Sequence, residues 1–452
     1  MKLFNGYLMS ILFIVLVGSY SSTEAATLIN SLPFTCNYTD TFIVTNDLQA
    51  SGTAITIAAN NVIINGNNKT ITYAVSSSGT GIQYSGSRSG FEVFNLTLNE
   101  GAAGGTAIYQ NPNSFNGMKI HHCTINCNTQ AASAIRCANF VTAQTGIAIY
   151  NCTINCLPTS GTMAHAIVFE GSGYPVLSGS IHDNNITIGG TLRTSRPSNI
   201  VFSYTNGVME IYNNNIYMYG SDDNNAIRFW GSNNNKVYSN NIYMNCDHCR
   251  GINVDGGSEG NEIYDNVIDA NTTSSNGSNS CIRVRYGADD NSFYGNTIDT
   301  QDAIDCFAIR HGERQSSSPS DSPKRNRYYF NTLIGHRQLV RIENASDSSV
   351  FFNNTYTVTD GGPCVYLISS GTSQQIDSLY FENETFTTSD IYKVYFDTYA
   401  GTAQYSNIVF CNCGITASNI RSGGVTSFTI TSGPCRTVTK VPKKVTGVKI
   451  TK

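Results

Sequence analysis

A short phrase centred on asparagine recurs through most of this chain and constrains its fold more than any other feature. The phrase is clearest in residues 209–218 (MEIYNNNIYM), 235–244 (NKVYSNNIYM), 261–270 (NEIYDNVIDA) and 291–300 (NSFYGNTIDT). Repetition at a fixed period is the signature of stacked architectures. The central position forms a column whose members lie 22 to 35 residues apart, namely Cys123, Cys152, Asn184, Asn214, Asn240, Asn266, Asn296, Asn331 and Asn353.

Each repeat contains three short strand-like segments. Two alternating segments flank the asparagine, and a third follows after a variable loop, as in 226–230 (AIRFW), 251–255 (GINVD), 281–285 (CIRVR), 306–310 (CFAIR) and 338–343 (QLVRIE). A coil of three strands cannot bury its apolar face alone, so it must stack on its neighbours. Asparagine tolerates the left-handed conformation of a tight bend, and its amides can form a ladder between coils. An antiparallel sandwich is the alternative, but it leaves the asparagine column unexplained.

The asparagine phrase together with the third strand resembles the right-handed parallel β-helix of the pectate-lyase-like superfamily, over about residues 45–420. The resemblance implies an all-β solenoid of three parallel sheets. It also implies a secreted protein that binds or acts on polysaccharides, although many such proteins are non-catalytic surface proteins. The fold alone does not specify an activity.

The ends of the chain differ from the repeats. Residues 1–25 read as a signal peptide, with Lys2, an apolar core from Leu8 to Val17 and a small residue, Ala25, before the cut. An uncleaved membrane anchor is the alternative reading. We expect the β-helix domain to span 26–435, and 436–452 to form a basic tail that is solvated or binds an acidic surface.

Composition excludes some classes of function and leaves others open. With 13% charged residues and a net charge of −4, the chain has no basic field for nucleic acid. No apolar segment after residue 25 is long enough to span a membrane. Fourteen cysteines in an exported chain favour disulfides. However, Cys123/Cys152, Cys127/Cys156 and Cys281/Cys306 could equally stack as buried thiols, and a zinc or redox site at Cys246 and Cys249 is a weaker reading.

Strand alternation sorts the third strands into inward and outward side chains. The apolar residues, including Phe229, Val254, Phe307 and Ile309, are predicted to point inward. The outward set is Arg228, Trp230, Asn253, Asp255, Arg283, Arg285, Ala308, Arg310, Arg341 and Glu343, followed on the next loop by His311 and Glu313. Charge is scarce in this chain, yet five arginines and the single tryptophan fall together in this set.

Such a face suits an extended acidic polysaccharide. Arginine pairs bidentately with carboxylate or sulfate, and tryptophan offers a flat surface to a sugar ring. We therefore predict that an extracellular polysaccharide is the partner. The predicted substrate-binding residues are Arg228, Trp230, Asn253, Arg283, Arg310, Glu313, Arg341 and Glu343. The alternative is a ladder of Arg–Asp and Arg–Glu pairs that only solubilises an exposed sheet.

Catalysis would centre on Asp255, Arg285 and His311, because a carboxylate, a cation and an imidazole from neighbouring coils could surround one linkage. Lyase and glycoside hydrolase chemistry both remain open, and so does a non-catalytic adhesive role. The resemblance implies calcium in some members, and the sequence does not decide whether this chain needs it. No metal-ligand set is assigned.

The enzyme motifs of the family match only in part. Polygalacturonase-like members carry paired Asp, then Gly-His-Gly, then Arg-x-Lys. This chain has Asp222-Asp223, then His248 without flanking glycines, then Arg283-Val284-Arg285. A second partial match joins Asp305 to Gly335-His336. The arginine–proline pair of pectate lyases has a counterpart at 196–197, without an acidic cluster nearby.

Overall fold

The protein is an all-β, right-handed parallel β-helix. The computed structural model describes residues 26–110, 115–129, 133–157, 165–189, 198–220, 224–272, 279–303, 305–312, 322–343, 348–369, 376–398, 405–423, 428–431 and 435. The predicted signal peptide and basic tail lie outside these residues. Within them, the helical content is one 3₁₀ turn, Ala417–Asn419. Among the same residues, no helix is long and apolar enough to cross a membrane.

The first sheet contains the strand that precedes each asparagine of the column. Its strands are β1 (Thr27–Ile29), β3 (Thr41–Val44), β6 (Ile63–Tyr73), β8 (Glu92–Glu100), β10 (Lys119–His121), β13 (Gln144–Tyr150), β16 (Leu177–His182), β19 (Met209–Tyr212), β22 (Lys236–Tyr238), β25 (Glu262–Tyr264), β28 (Ser292–Tyr294), β31 (Arg327–Tyr329), β34 (Val350–Phe352), β38 (Tyr380–Glu382), β42 (Ile408–Cys411) and β44 (Phe428–Thr431).

The second sheet contains the strand that follows each asparagine. The long strands β6 and β8 run through both the first and the second sheet. The other strands are β4 (Leu48–Gln49), β11 (Thr124–Cys127), β14 (Thr153–Cys156), β17 (Asn185–Ile188), β20 (Asn215–Gly220), β23 (Asn241–Cys246), β26 (Val267–Ala270), β29 (Thr297–Thr300), β32 (Thr332–Gly335), β35 (Thr355–Val358) and β39 (Thr385–Thr387).

The third sheet has 15 strands and carries the predicted site. It contains β2 (Phe34–Cys36), β5 (Ile55–Ile57), β7 (Gly79–Tyr84), β9 (Gly105–Gln110), β12 (Ser133–Phe140), β15 (His165–Gly171), β18 (Ser198–Ser203), β21 (Asn225–Trp230), β24 (Arg250–Asp255), β27 (Asn279–Val284), β30 (Cys306–His311), β33 (Val340–Glu343), β36 (Val365–Ser369), β40 (Val394–Thr398) and β43 (Ile420–Arg421). A separate pair joins β37 (Ile376–Asp377) to β41 (Tyr405–Ser406).

The asparagine ladder is present as predicted and lies inside the coil. From Asn184 to Asn354, each side-chain Nδ2 donates to the Oδ1 of the next ladder residue at 2.9–3.0 Å. The ladder ends at Glu384, whose Oε1 accepts a hydrogen bond from Asn354 Nδ2 at 3.1 Å. These bonds satisfy buried amides that would otherwise be costly.

The left-handed bend falls one residue earlier than the sequence pattern suggests. Asn213, Ser239 and Asp265 have φ values of 54°, 55° and 52°, and each precedes a ladder asparagine. At the C-terminal end of the ladder, the predicted member Asn353 is wrong, because Asn353 is the left-handed residue and Asn354 occupies the ladder. The prediction that the ladder residue itself adopts the bend conformation is therefore wrong, because one residue turns the backbone while its neighbour provides the amide.

The cysteines form both bridges and buried thiols. Cys246 is bonded to Cys249, and Cys411 to Cys435. The stacked cysteines are free and buried, and Cys281 Sγ lies 3.9 Å from Cys306 Sγ. For the stacked pairs, the thiol alternative therefore holds. Cys127 and Cys156 are in register, so their side chains point in the same direction. The short Cys246–Cys249 loop is a disulfide, and the zinc reading is wrong.

Candidate functional site

One outward column of the third sheet runs through five successive coils. Strand register aligns Arg228 with Asn253, Asn253 with Arg283, Arg283 with Arg310, and Arg310 with Arg341. Parallel strands lie about 4.8 Å apart, so the column places its side chains in a line parallel to the coil axis. We call these five residues the arginine column.

Arg285 belongs to a second, neighbouring column. Trp230 aligns with Asp255 one coil later, and Arg285 follows in the coil after that, because it directly succeeds Val284 of β27. On each strand, the members of the two columns lie two residues apart and face the same side. The sequence set of five arginines is therefore divided between two parallel rows.

Asp255 connects the two rows. Its Oδ2 lies 3.2 Å from Arg285 Nη2 and 3.6 Å from Arg228 Nη2, and it accepts a hydrogen bond from Asn253 Nδ2 at 3.0 Å. The Asp255 side chain is fully buried. Because two hydrogen bonds and a further ion pair converge on one oxygen in a desolvated position, this carboxylate holds the guanidinium groups of Arg228 and Arg285 in place.

Two acceptors of this cluster have no hydrogen-bond donor within the described chain. They are Asp255 Oδ1 and Asn253 Oδ1, and both atoms are buried. Most buried polar atoms in proteins have a partner in the protein or in an ordered water molecule. The two oxygens are therefore positions where an ordered water molecule would complete the cluster.

A second charged cluster lies three coils further along. Glu343 ends β33 and is fully buried, with Oε2 at 2.7 Å from Arg310 Nε and Oε1 at 2.7 Å from Arg341 Nε. The Arg341 guanidinium also lies over the rings of Phe307 and Tyr366, at 5.0 and 5.8 Å. Arg310 and Arg341 are thus fixed by one carboxylate, as Arg228 and Arg285 are fixed by Asp255.

A local irregularity in the third strands interrupts the simple alternation of inward and outward side chains. Ala226 and Ile227 are consecutive, yet both pack in the core, and Ala308 and Ile309 do the same. The preceding residue then faces outward, so Asn225 Oδ1 accepts a hydrogen bond from Asn253 Nδ2 at 3.0 Å, and Phe307 contacts Arg341. The predicted orientations of Phe307 and Ala308 are therefore reversed.

The same irregularity adds a residue that the sequence analysis missed. Arg250 aligns with Asn225 and Ser280, and the three residues form a third outward column. Arg250 is buried beside the other two. A small residue followed by isoleucine recurs at 226–227, 251–252 and 281–282. Two consecutive core residues at this point are the signal that could have located the irregularity.

His311 does not join Asp255 and Arg285. Alternation continues to the end of β30, so His311 aligns with Val284 and Ile342, both core residues. Its Nδ1 lies 2.8 Å from the Tyr328 hydroxyl, and burial lowers the pKa of the imidazole to about 3. The predicted placement on the outer face is wrong, because a neutral, fully buried ring cannot reach a ligand there. Glu313, the next predicted residue, lies outside the described residues.

The environment of Trp230 contains aromatic residues that were not predicted. Trp230 Nε1 donates to the Tyr204 hydroxyl at 2.9 Å, and the Arg228 guanidinium lies 4.8 Å from the indole centroid. On the other side of Trp230, Tyr286 lies 6.4 Å away between ring centroids, with Arg285 stacked 4.4 Å from its ring. Tyrosine is frequent throughout this chain, so composition alone could not single out Tyr204 and Tyr286.

The partial enzyme motifs have different outcomes. Asp305 and His336 line one cavity of about 240 Å³, together with Phe307 and Arg337. His248 lies within the Cys246–Cys249 loop. Residues 196–197 and 222–223 lie outside the described residues. In the described part of the chain, no group of three or more His, Cys, Asp or Glu converges to hold a metal ion.

Comparisons with known proteins find solved structures of low similarity. No protein-family model matches the sequence, and no curated protein matches it. DFA-IIIase from Arthrobacter chlorophenolicus A6, in complex with GF2, is 14% identical with a TM-score of 0.39, over 69% of this chain and 70% of that one. The tailspike protein of E. coli bacteriophage HK620, a double mutant in complex with a pentasaccharide, is 10% identical with a TM-score of 0.41, over 82% of this chain and 72% of that one. At these values the similarity carries no argument about function.

Proposed function

We propose that this protein is a secreted glycan-recognition protein that binds an acidic polysaccharide along the outer face of the third sheet. The observation that carries the proposal is the arginine column, which lines up four guanidinium groups and one amide on successive coils. An extended polymer with a charge on each repeating unit matches a linear array of cations better than a compact ligand does.

The chemistry of the column favours carboxylate or sulfate. Each guanidinium presents N–H donors in a rigid fork whose geometry matches a carboxylate or sulfate group. Arg228 and Arg341 are the more accessible of these arginines, with 16% and 14% of their side chains exposed. Asp255 and Glu343 orient the guanidinium groups before a ligand arrives, which lowers the entropy cost of binding.

Recognition is better supported than hydrolysis. Asp255 and Glu343 are separated by three coil steps, which correspond to about 14 Å. Glycoside hydrolases use two carboxyl groups about 5 to 9.5 Å apart, across a single bond. The two carboxylates are also buried and paired with arginine. The proposal is therefore for a binding protein, of the kind found among surface and adhesive proteins.

Secretion belongs to the same proposal. It is supported by the signal-like segment 1–25 and by the Cys246–Cys249 and Cys411–Cys435 bridges, since disulfides persist mainly in oxidising compartments.

Affinity electrophoresis in gels that contain polygalacturonate, alginate or chondroitin sulfate tests the function. We expect at least one anionic polymer to retard the protein, and the retardation to decrease as salt rises. Raising the ionic strength from about 0.01 to 0.15 M shortens the screening length from about 30 to 8 Å, which weakens charge pairs at a surface. Arg228→Ala and Arg341→Ala should each weaken the retardation.

The matched control is Arg325→Ala. Arg325 is half-exposed and pairs with Asp289 and Asp290 on a turn outside the third sheet, so its loss should leave retardation unchanged. Equal retardation by neutral and anionic polymers would refute the proposal. Assays for unsaturated products and for reducing ends, run on the same polymers, would detect cleavage.

A further inference from the structure

An unassigned cluster of aromatic side chains lies where the third sheet turns towards the first. Tyr174 lies between β15 and β16, Tyr204 between β18 and β19, Trp230 at the end of β21, and Tyr286 after β27. Tyr174 and Tyr204 are 50% and 43% exposed. We call these four residues the aromatic ledge.

The ledge is held together by specific contacts. The rings of Tyr174 and Tyr204 meet edge to face with centroids 5.9 Å apart, and the Tyr204 hydroxyl accepts the hydrogen bond from Trp230. The ring centroids of Trp230 and Tyr286 lie 6.4 Å apart. The two residues belong to coils that are separated by the coil of β24. The four rings therefore form one continuous surface that runs parallel to the coil axis.

Glycine at two turns makes this continuity possible. A Cβ at Gly256 would lie 3.0 Å from the Trp230 ring, and a Cβ at Gly231 would lie 3.2 Å from Tyr204 and 3.4 Å from Tyr174. The rings therefore lie against bare backbone. Both glycines also have positive φ, where a side chain would add strain.

Three of the aromatic residues occupy an unfavourable backbone conformation. The φ values of Tyr174, Tyr204 and Tyr286 are 59°, 53° and 52°. A bulky residue with positive φ is uncommon, and such strain tends to occur at ligand-binding sites. Glycine occupies the corresponding turns after Trp230 and Asp255, and its φ is positive there as well. Folding therefore does not require a tyrosine at this kind of turn, which suggests that the rings have another role.

We infer that the aromatic ledge is a sugar-stacking subsite, on which the apolar faces of successive pyranose rings of one polysaccharide lie. A pyranose ring has an apolar C–H face and a polar edge. The exposed rings of Tyr174 and Tyr204 match the face. Arg228 and Arg285, which lie over the rings of Trp230 and Tyr286, are positioned for the polar edge.

This inference rests on the proposed function and makes it more specific. It predicts that the polymer runs parallel to the coil axis at this end of the strands. It also predicts that part of the affinity is independent of the ligand's charge. A protein partner would use the same apolar rings, but it would not require a repeating sugar.

Trp230 is the only tryptophan in the chain, so its fluorescence reports on the ledge alone. We would titrate the full-length protein with oligogalacturonate and with its methyl-esterified form, which has the same rings and linkages without the charge. We expect both ligands to change the emission and protect Trp230 from acrylamide quenching, with the charged form binding more tightly.

Four variants test the role of the two most exposed rings, Tyr174 and Tyr204. Tyr204→Ala and Tyr174→Ala should each weaken the binding of both ligands by about tenfold, the loss expected when a central interface aromatic is truncated. Tyr204→Phe keeps the ring and should retain most of the affinity. Tyr243→Ala, at an exposed tyrosine on β23 of the second sheet, should change nothing.

The possible outcomes separate the inference from the proposed function. If the charged form binds better but Trp230 does not respond and the ledge variants bind normally, the inference is wrong and the arginine column stands. If both forms bind equally and the ledge variants lose binding, the inference holds and the anionic preference fails. Binding of neither form, in a protein that none of the three anionic polymers retards, would refute both. A Trp230 response to proteins alone would refute the inference.

Discussion

Replacing Glu384 by glutamine is expected to stabilise the folded protein at neutral pH. Glu384 occupies the last position of the asparagine ladder, where Asn354 donates to its Oε1. Burial is the main reason that the pKa of this carboxyl rises from its ordinary 4.5 to about 8. A glutamine side chain offers the same acceptor oxygen and has no charge to bury.

The size and sign of the effect follow from proton linkage. Between pH 4.5 and about 8 the folded protein retains a proton that the unfolded chain releases, so the free energy of unfolding falls as pH rises. These two values give a penalty of about 3 kcal/mol at pH 7. The penalty vanishes below pH 4.5 and reaches about 5 kcal/mol above pH 8.

Urea unfolding of wild type and Glu384→Gln between pH 4 and 9 measures this difference directly. The variant should gain stability over wild type progressively as pH rises. Glu382→Gln is the matched control, because Glu382 is partly exposed on the outer side of the same turn, and it should show a smaller gain. A difference between Glu384→Gln and wild type that stays constant across this pH range would refute the reasoning.

Two further predictions concern the inside of the coil. Asn240→Leu should destabilise the protein by about 1–3 kcal/mol, because it removes the buried amide that bonds to both neighbouring ladder residues. Asn241→Leu, on the outward side of β23, should cost less, and equal losses in urea unfolding would contradict the ladder argument. His311→Phe should leave polysaccharide retardation unchanged while lowering stability through loss of the bond to Tyr328. A loss of retardation in a folded variant would return His311 to the binding face.

Much of the fold was predictable because each copy of the repeat corresponds to one coil. Each asparagine of the phrase has a neighbour one coil away, and the hydrogen bonds from Asn214 to Asn240 and from Asn240 to Asn266 are the ones that spacing predicts. Alternation also placed Arg228, Arg283 and Arg310 on one outward face.

The rest depended on local geometry that periodicity does not encode. Two consecutive core residues at Ala226 and Ile227 shift the alternation in β21, and Arg250 of the aligned strand β24 lies on the outer face beside Asn225. His311 follows the strand pattern into the core, although its position next to a loop suggested exposure. The aromatic ledge depends on turn conformations at Tyr174, Tyr204 and Tyr286, which a sequence in which tyrosine is frequent throughout does not reveal.

Hydrogen–deuterium exchange of the full-length protein, with and without a bound acidic oligosaccharide, tests most directly where the ligand lies. The account predicts slower exchange in β21, β24, β27 and β30 and in the turns that carry Tyr204, Trp230 and Tyr286. The first and second sheets should exchange as they do in the free protein. Protection confined to those sheets, or spread evenly along the coil, would contradict recognition by the outer face of the third sheet.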